Sequence, residues 1–160
     1  VRIILMFFLC LFASSSYSEG NYKSISLEEA VINIPAKWYV NRKNDCLFIR
    51  GKHVNAFDYL KLCRGSSIEE SDYFKMDDDD KWEAITDGTP VLADVNVTSK
   101  FTGMSAIVSC KYKDDAGYHT EQCFQAEINL PQKINFIFTG RGDSSLFNDY
   151  KEVYLSFNIK

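Results

Sequence analysis

Apolar and polar residues alternate with the period of two expected of half-buried strands at several places along this chain, most clearly at Ile134-Asn135-Phe136-Ile137-Phe138-Thr139. Between residues 30 and 40, Val31, Ile32 and Ile34 flank a polar Asn33. Pro35 then precedes a Trp38-Tyr39-Val40 run, which predicts two short strands broken at the proline. Apolar runs at 46–49 and 57–63, separated by turn-like residues 51–55, predict a hairpin. A second hairpin is expected from 104–112 and 118–130 around Asp114-Asp115-Ala116-Gly117, and a last strand at 156–159. Two stretches read as helices. Residues 66–74 open with Ser-Ser-Ile-Glu-Glu, a hydroxyl cap followed by acids in the first turn. Residues 144–154 place Leu146, Phe147, Tyr150, Val153 and Tyr154 on one side. Residues 19–29 are polar and read as a lead-in. The expected fold class is α+β: an antiparallel sheet with two or three short helices, forming a single domain over 19–160 without repeats or low-complexity linkers.

The first 18 residues change the picture because they say where that domain folds. Arg2 precedes an apolar run at 3–13, followed by small residues and a Ser16-x-Ser18 cleavage signal before Glu19. This is the layout of a secretory signal peptide. Eleven apolar residues fall short of the roughly 17–25 that a bilayer-crossing helix needs, so export without a stable membrane span is expected. An initial Val, read as an alternative start codon translated literally, points to a bacterium and so to the periplasm, with an extracellular location as the alternative. Loss of Arg2 with the leader takes the net charge from −4 to about −5. That balance argues against a nucleic-acid partner, since affinity for phosphate backbones rests on clustered Lys and Arg. It makes a basic protein or cationic ligand the electrostatic complement.

Cys10 would also leave with the leader. As a lipid-attachment site it is disfavoured by the bulky Phe7-Phe8-Leu9 before it. The remaining four, Cys46, Cys63, Cys110 and Cys123, are an even number in an exported chain and read as two disulfides. Three pairings are possible. If Ala116 and Gly117 form the second turn, Cys110 falls directly opposite Cys123; a turn near Val54-Asn55 sets Cys46 opposite Cys63. Pairing within each hairpin is therefore expected.

His53 and His119 each lie between two cysteines, but the spacings match no zinc pattern, and oxidised cysteines hold no metal. A Cys–His nucleophile requires a free thiol. Asp77, Asp78, Asp79 and Asp80 form the strongest charge feature. Read plainly, it is a solvated loop opened by like charges. Its spacing lacks the alternating ligands, glycine and terminal Glu of an EF-hand. Flanked by Phe74, Met76 and Trp82, it also has the composition of an interface, with an aromatic anchor beside charges that steer encounter. Asp77, Asp78, Asp79, Asp80 and Trp82 are thus the candidate partner-binding residues. Arg141-Gly142-Asp143 spells an adhesion tripeptide that a turn explains equally well. Gly140-x-Gly142 lacks the context of a dinucleotide fingerprint, and 103–107 lacks the second glycine of a nucleophile elbow. Asn96-Val97-Thr98 accepts a glycan only in a eukaryotic host. Nothing assembles an acid, a base and a nucleophile, so no catalytic residues and no cofactor are expected.

The Ile32-x-Ile34-Pro35-x-x-Trp38 opening, the 103–113 strand with its Asp-rich turn and Gly117, Phe136-x-Phe138-x-Gly140, and the closing helix into Ser156-Phe157 together resemble the PsbP-like fold. This is a small α/β sandwich used by exported proteins. The resemblance implies binding more than catalysis, since such proteins include binding modules and immunity proteins against toxins delivered into the periplasm, some by type VI secretion. The leading expectation is an immunity protein that plugs a toxin enzyme with a basic or polar groove. An accessory subunit of an envelope complex and a small-ligand-binding module are the alternatives.

Overall fold

A computed structural model describes residues 21–51, 57–65, 73–86, 89–114 and 117–160. The expected signal peptide at 1–18, His53, the expected turn residues Val54, Asn55 and Ala116, and residues 66–72 lie outside them. The centre of the fold is a seven-stranded, wholly antiparallel sheet in the order β3-β4-β5-β12-β11-β10-β9. Its strands are β3 (Tyr39–Lys43), β4 (Cys46–Arg50), β5 (Tyr59–Gly65), β9 (Asp94–Val97), β10 (Thr102–Asp114), β11 (Gly117–Asn129) and β12 (Asn135–Arg141). A three-stranded sheet of β1 (Tyr22–Leu27), β2 (Ala30–Pro35) and β13 (Asn158–Ile159) belongs to the main core. A second small sheet of β6 (Phe74–Met76), β7 (Trp82–Ala84) and β8 (Val91–Leu92) packs on the opposite face.

The α+β expectation is overturned. Among the described residues there is one helical segment, a 3-10 turn at Ser144–Leu146 running into α1 (Phe147–Leu155), and the remaining regular structure is antiparallel strand. The physical reason is that strands do most of the covering that helices were expected to do. One face of the large sheet is closed by β1 and β2 together with α1, the other by β6 and β7. Residues 66–72 of the expected first helix lie outside the described residues, and Phe74 opens β6 instead. The expected lead-in is also corrected, because residues 22–27 pair with β2 from Tyr22↔Pro35 to Leu27↔Ala30.

Burial on two faces explains the central strands. In β11, Phe124, Ala126 and Ile128 join the main core with Phe136, Phe138 and the helix residues Phe147, Tyr150, Val153 and Tyr154. The alternate residue Cys123 joins Met104, Ala106 and Val108 under Phe74 and Ala84. Residues 123–128 are therefore continuously buried, although Gln125 and Glu127 are polar and alternate with the apolar positions. Gly140 permits the close approach of α1: a Cβ there would strike the Tyr150 ring and sit 3.1 Å from the Cβ of Phe124.

Both disulfides form within their hairpins, Cys46–Cys63 and Cys110–Cys123. The first is as expected, a directly opposed pair with Cα atoms 4.1 Å apart. The second corrects the expected register by two residues. Asp114, not Asp115, begins the connection and faces Gly117, whose φ is +116°. Cys110 is therefore opposite Glu121 and Cys123 opposite Val108, and the bridge runs diagonally over a Cα distance of 6.0 Å. That distance is still within the span a disulfide accepts.

Tyr150 and Tyr154 carry a pH dependence. Each is 2% exposed, and burial pushes both phenols far above their ordinary value of 10.0; Asp58 adds to the first and Asp94 to the second. Because the folded values are raised, this contribution to stability is complete below pH ~10 and is lost as the pH rises through the folded values. Once the unfolded chain ionises, the loss is about 1.4 kcal/mol per pH unit for each tyrosine. Urea midpoints measured between about pH 8 and 11 are expected to hold and then drop above about 10. A midpoint unchanged to pH ~11 contradicts the burial of both phenols.

Candidate functional site

The four aspartates form the tip of the β6–β7 hairpin. Met76 faces Trp82, and residues 77–81 close the loop. The Asp77 carboxylate accepts hydrogen bonds from the backbone N–H groups of Asp79 at 3.0 Å and Lys81 at 2.7 Å. The Asp77 N–H donates to the Lys81 carbonyl at 2.8 Å, and the Asp80 N–H to the Asp77 carbonyl at 3.2 Å. Asp is suited to this because its short side chain bonds its own backbone two residues on, and it tolerates the left-handed region that Asp80 enters at φ +60°. Asp77 is consequently half-buried and structural, while Asp78, Asp79 and Asp80 are exposed. Lys81 lies 3.7 Å from Asp79 in an exposed ion pair, a contact of little energetic weight.

Trp82 is half-buried, packed with Tyr73 against the second core, and Phe74 is wholly inside it. The expected aromatic anchor therefore fixes the base of the hairpin, and the large apolar side chain left exposed beside the acids is Met76, at 49%. The structure brings Asp78, Asp79 and Asp80 together at one tip and sets Asp77 and Trp82 beneath them.

The other sequence candidates have structural roles. Arg141 ends β12 and lies 3.8 Å from Glu121. Asp143 caps the 3-10 turn by accepting from the Ser145 N–H at 2.8 Å, which holds its carboxyl below the ordinary value. Gly142 adopts φ +103° against Asp58. The adhesion-like tripeptide is thus strand end, turn and cap. The Thr98 hydroxyl accepts from the N–H groups of Lys100 and Phe101 in the turn before β10. Among the described residues no group of three or more His, Cys, Asp or Glu is placed to hold a metal ion, and no helix is long and apolar enough to cross a membrane.

Sequence reasoning missed a second surface. The face of β3, β4 and β5 that carries Cys46 and Cys63 also carries Tyr39, Phe48, Arg50, Tyr59 and Lys61. Tyr39 faces Arg50, and the Arg50 guanidinium lies 5.8 Å from the centre of the Tyr59 ring; Tyr59 in turn faces Arg141. Ring and cation alternate across four strands. In the next row Asn41 faces Phe48 and Phe48 faces Lys61, whose ammonium is 5.9 Å from the Phe48 ring. A shallow hollow of about 320 Å³ opens among Tyr39, Asn41, Lys43, Phe48 and Arg50. Lys43, Arg50 and Lys61 make no ion pair among the described residues. The signal was present in the outward positions of each strand (39, 41, 43; 48, 50; 59, 61), where aromatic and basic residues coincide.

The sheet order also separates charge. Residues 37–64 hold seven Lys and Arg against two Asp, whereas residues 69–94 hold ten Asp and Glu against two Lys. Strands from the first segment form one edge of the large sheet. Strands from the second form the small sheet, and its last residue, Asp94, opens β9 at the opposite edge. Compared with known proteins, the chain matches no family model and no curated protein.

Proposed function

We propose that this chain acts by binding rather than by catalysis, as an exported inhibitor that docks on a protein partner. In its most specific form it is a periplasmic immunity protein that neutralises a toxin enzyme, such as a type VI secretion effector, by inserting its acidic hairpin into a basic or polar groove. The observation that carries the reading is the construction of that hairpin. Two N–H groups tie the tip to the Asp77 carboxylate, and Trp82 roots it in the second core. Three carboxylates are therefore presented on a backbone already fixed, which lowers the ordering cost of binding and favours fast encounter with a cationic groove. Two disulfides are compatible with an oxidising, exported setting.

The test replaces Asp78, Asp79 and Asp80 together by serine, leaving Asp77 to hold the loop. Wild-type protein recovered from the periplasm is expected to retain a stoichiometric enzyme and inhibit it. The triple variant, with an unchanged urea midpoint, is expected to bind at least about tenfold more weakly, with most of the loss in association rate. Recovery without any stoichiometric partner, or inhibition undiminished in the variant, overturns the reading. A stable assembly in unstressed cells that inhibits no enzyme supports an accessory envelope subunit instead.

A further inference from the structure

We propose that the open face of β3, β4 and β5 is a binding site for an acidic polysaccharide, a chain of sugar rings bearing carboxylate or sulfate groups. The site is distinct from the acidic hairpin and does not rest on that reading.

Three observations converge on it. The row Tyr39, Arg50, Tyr59, Arg141 crosses four adjacent strands. At the spacing of neighbouring strands it is about 14 Å long, which suits an extended ligand rather than a compact one. Aromatic faces carry partial negative charge and stack against the C–H faces of sugar rings, and guanidinium and ammonium groups take carboxylates or sulfates. An alternation of the two matches a polymer in which rings and acid groups alternate.

The cations are also placed in advance. Arg50 and Lys61 lie over rings and not beside carboxylates, so their positions are set while their charge remains uncompensated within the described chain. Arg141, paired with Glu121, closes the row. The hollow beside Tyr39, Phe48 and Arg50 gives one ring of the polymer a seat. Finally, the described residues 37–51 and 57–64 hold six Lys and Arg against two Asp, which makes this edge complementary to a polyanion although the whole chain is acidic. Single-stranded nucleic acid would meet the same rings and cations. The two cross-links favour the glycan, because oxidising compartments are where surface and wall polysaccharides are the resident polyanions.

The experiment titrates the oxidised full chain with polygalacturonate, with neutral dextran and with poly-dT. Polygalacturonate is expected to bind, more weakly as salt rises, and dextran not at all. Arg50→Ser with Lys61→Ser is expected to weaken binding at least about tenfold. Tyr39→Ala alters no charge at a residue 56% exposed. It is expected to weaken binding about fivefold, with Tyr39→Phe restoring it. The serine triple at 78–80 is expected to bind polygalacturonate at least as well as wild type, so failure of the hairpin reading leaves this one standing, and the reverse. Dextran binding equal to polygalacturonate overturns the proposal, as does poly-dT binding in its place. Full affinity in the Arg50/Lys61 variant also overturns it. An unaltered Tyr39→Ala affinity, the mark of diffuse charge attraction alone, does so as well.

Discussion

Replacing Cys46, Cys63, Cys110 and Cys123 together by alanine is expected to remove about 6 kcal/mol of stability, roughly 3 kcal/mol for each closed loop. The sequence separations are 17 and 13 residues, so neither loop is long, and chain entropy assigns them similar weights. For a domain stable by about 5–15 kcal/mol, that loss leaves it marginal or unfolded. Restoring one pair at a time separates the contributions. The 46–63 bridge joins half-buried residues in β4 and β5. The 110–123 bridge includes Cys123, which is fully buried and packed in the second core. Losing the second pair is therefore expected to cost more than the first, because truncating a buried sulfur adds a cavity term to the entropic one. Urea titrations of the wild type, the two double variants and the quadruple variant measure this. Equal midpoints in all four would show that the bridges do not hold the fold.

Phe138→Ala is expected to cost about 3–5 kcal/mol, the range for deleting a fully buried aromatic ring. Phe138 is 0% exposed, with the Tyr154 ring 5.5 Å and the Phe157 ring 6.3 Å away in edge-to-face arrangement. It faces Ala126 on one neighbouring strand and Leu62 on the other. The site thus lies where β5, β11, β12 and the end of the helix meet. A cavity here is enclosed by strands already tied on both sides, so it collapses poorly, which favours the upper part of the range. Phe57→Ala provides the contrast. Phe57 is 76% exposed, and its replacement is expected to change stability by no more than about 0.5 kcal/mol. Similar losses at the two positions would contradict the core assignment.

What was legible in the sequence followed the local physics. Residues 134–139 alternate because β12 sits mid-sheet against a strong core on one side, and residues 144–154 carry their apolar stripe because α1 buries one face. The first hairpin was legible down to its cross-link, since a direct count places Cys46 against Cys63. The second was readable in pairing but not in register, because the choice between Asp115 and Ala116 or Ala116 and Gly117 as turn residues is local, and only the observed pairing of Asp114 with Gly117 settles it. The strands β1, β6, β7, β8 and β9 were not legible. They are short or largely exposed, so little apolar alternation marks them, even though each pairs with its neighbour in the chain: β1 with β2, β6 with β7, β7 with β8 and β9 with β10.

The candidate site divides in the same way. The acid run stands out by composition, but its hairpin geometry depends on Asp77 bonding its own loop. Trp82 belongs beneath the tip because the second core lies behind it. The ring-and-cation face escaped notice because its members come from separate strands, and only the sheet order aligns Tyr39, Arg50, Tyr59 and Arg141.

The two cross-links require the polypeptide to leave a reducing compartment and to close its two β-ribbons by oxidation. Peptide mapping by mass spectrometry, without reduction, of protein recovered from the exported fraction of the producing cells tests this directly. The expected result is a chain beginning at Glu19 with one cross-linked peptide pair joining Cys46 to Cys63 and another joining Cys110 to Cys123. Four free thiols, or a chain retained inside the cell with residues 1–18 attached, would contradict it.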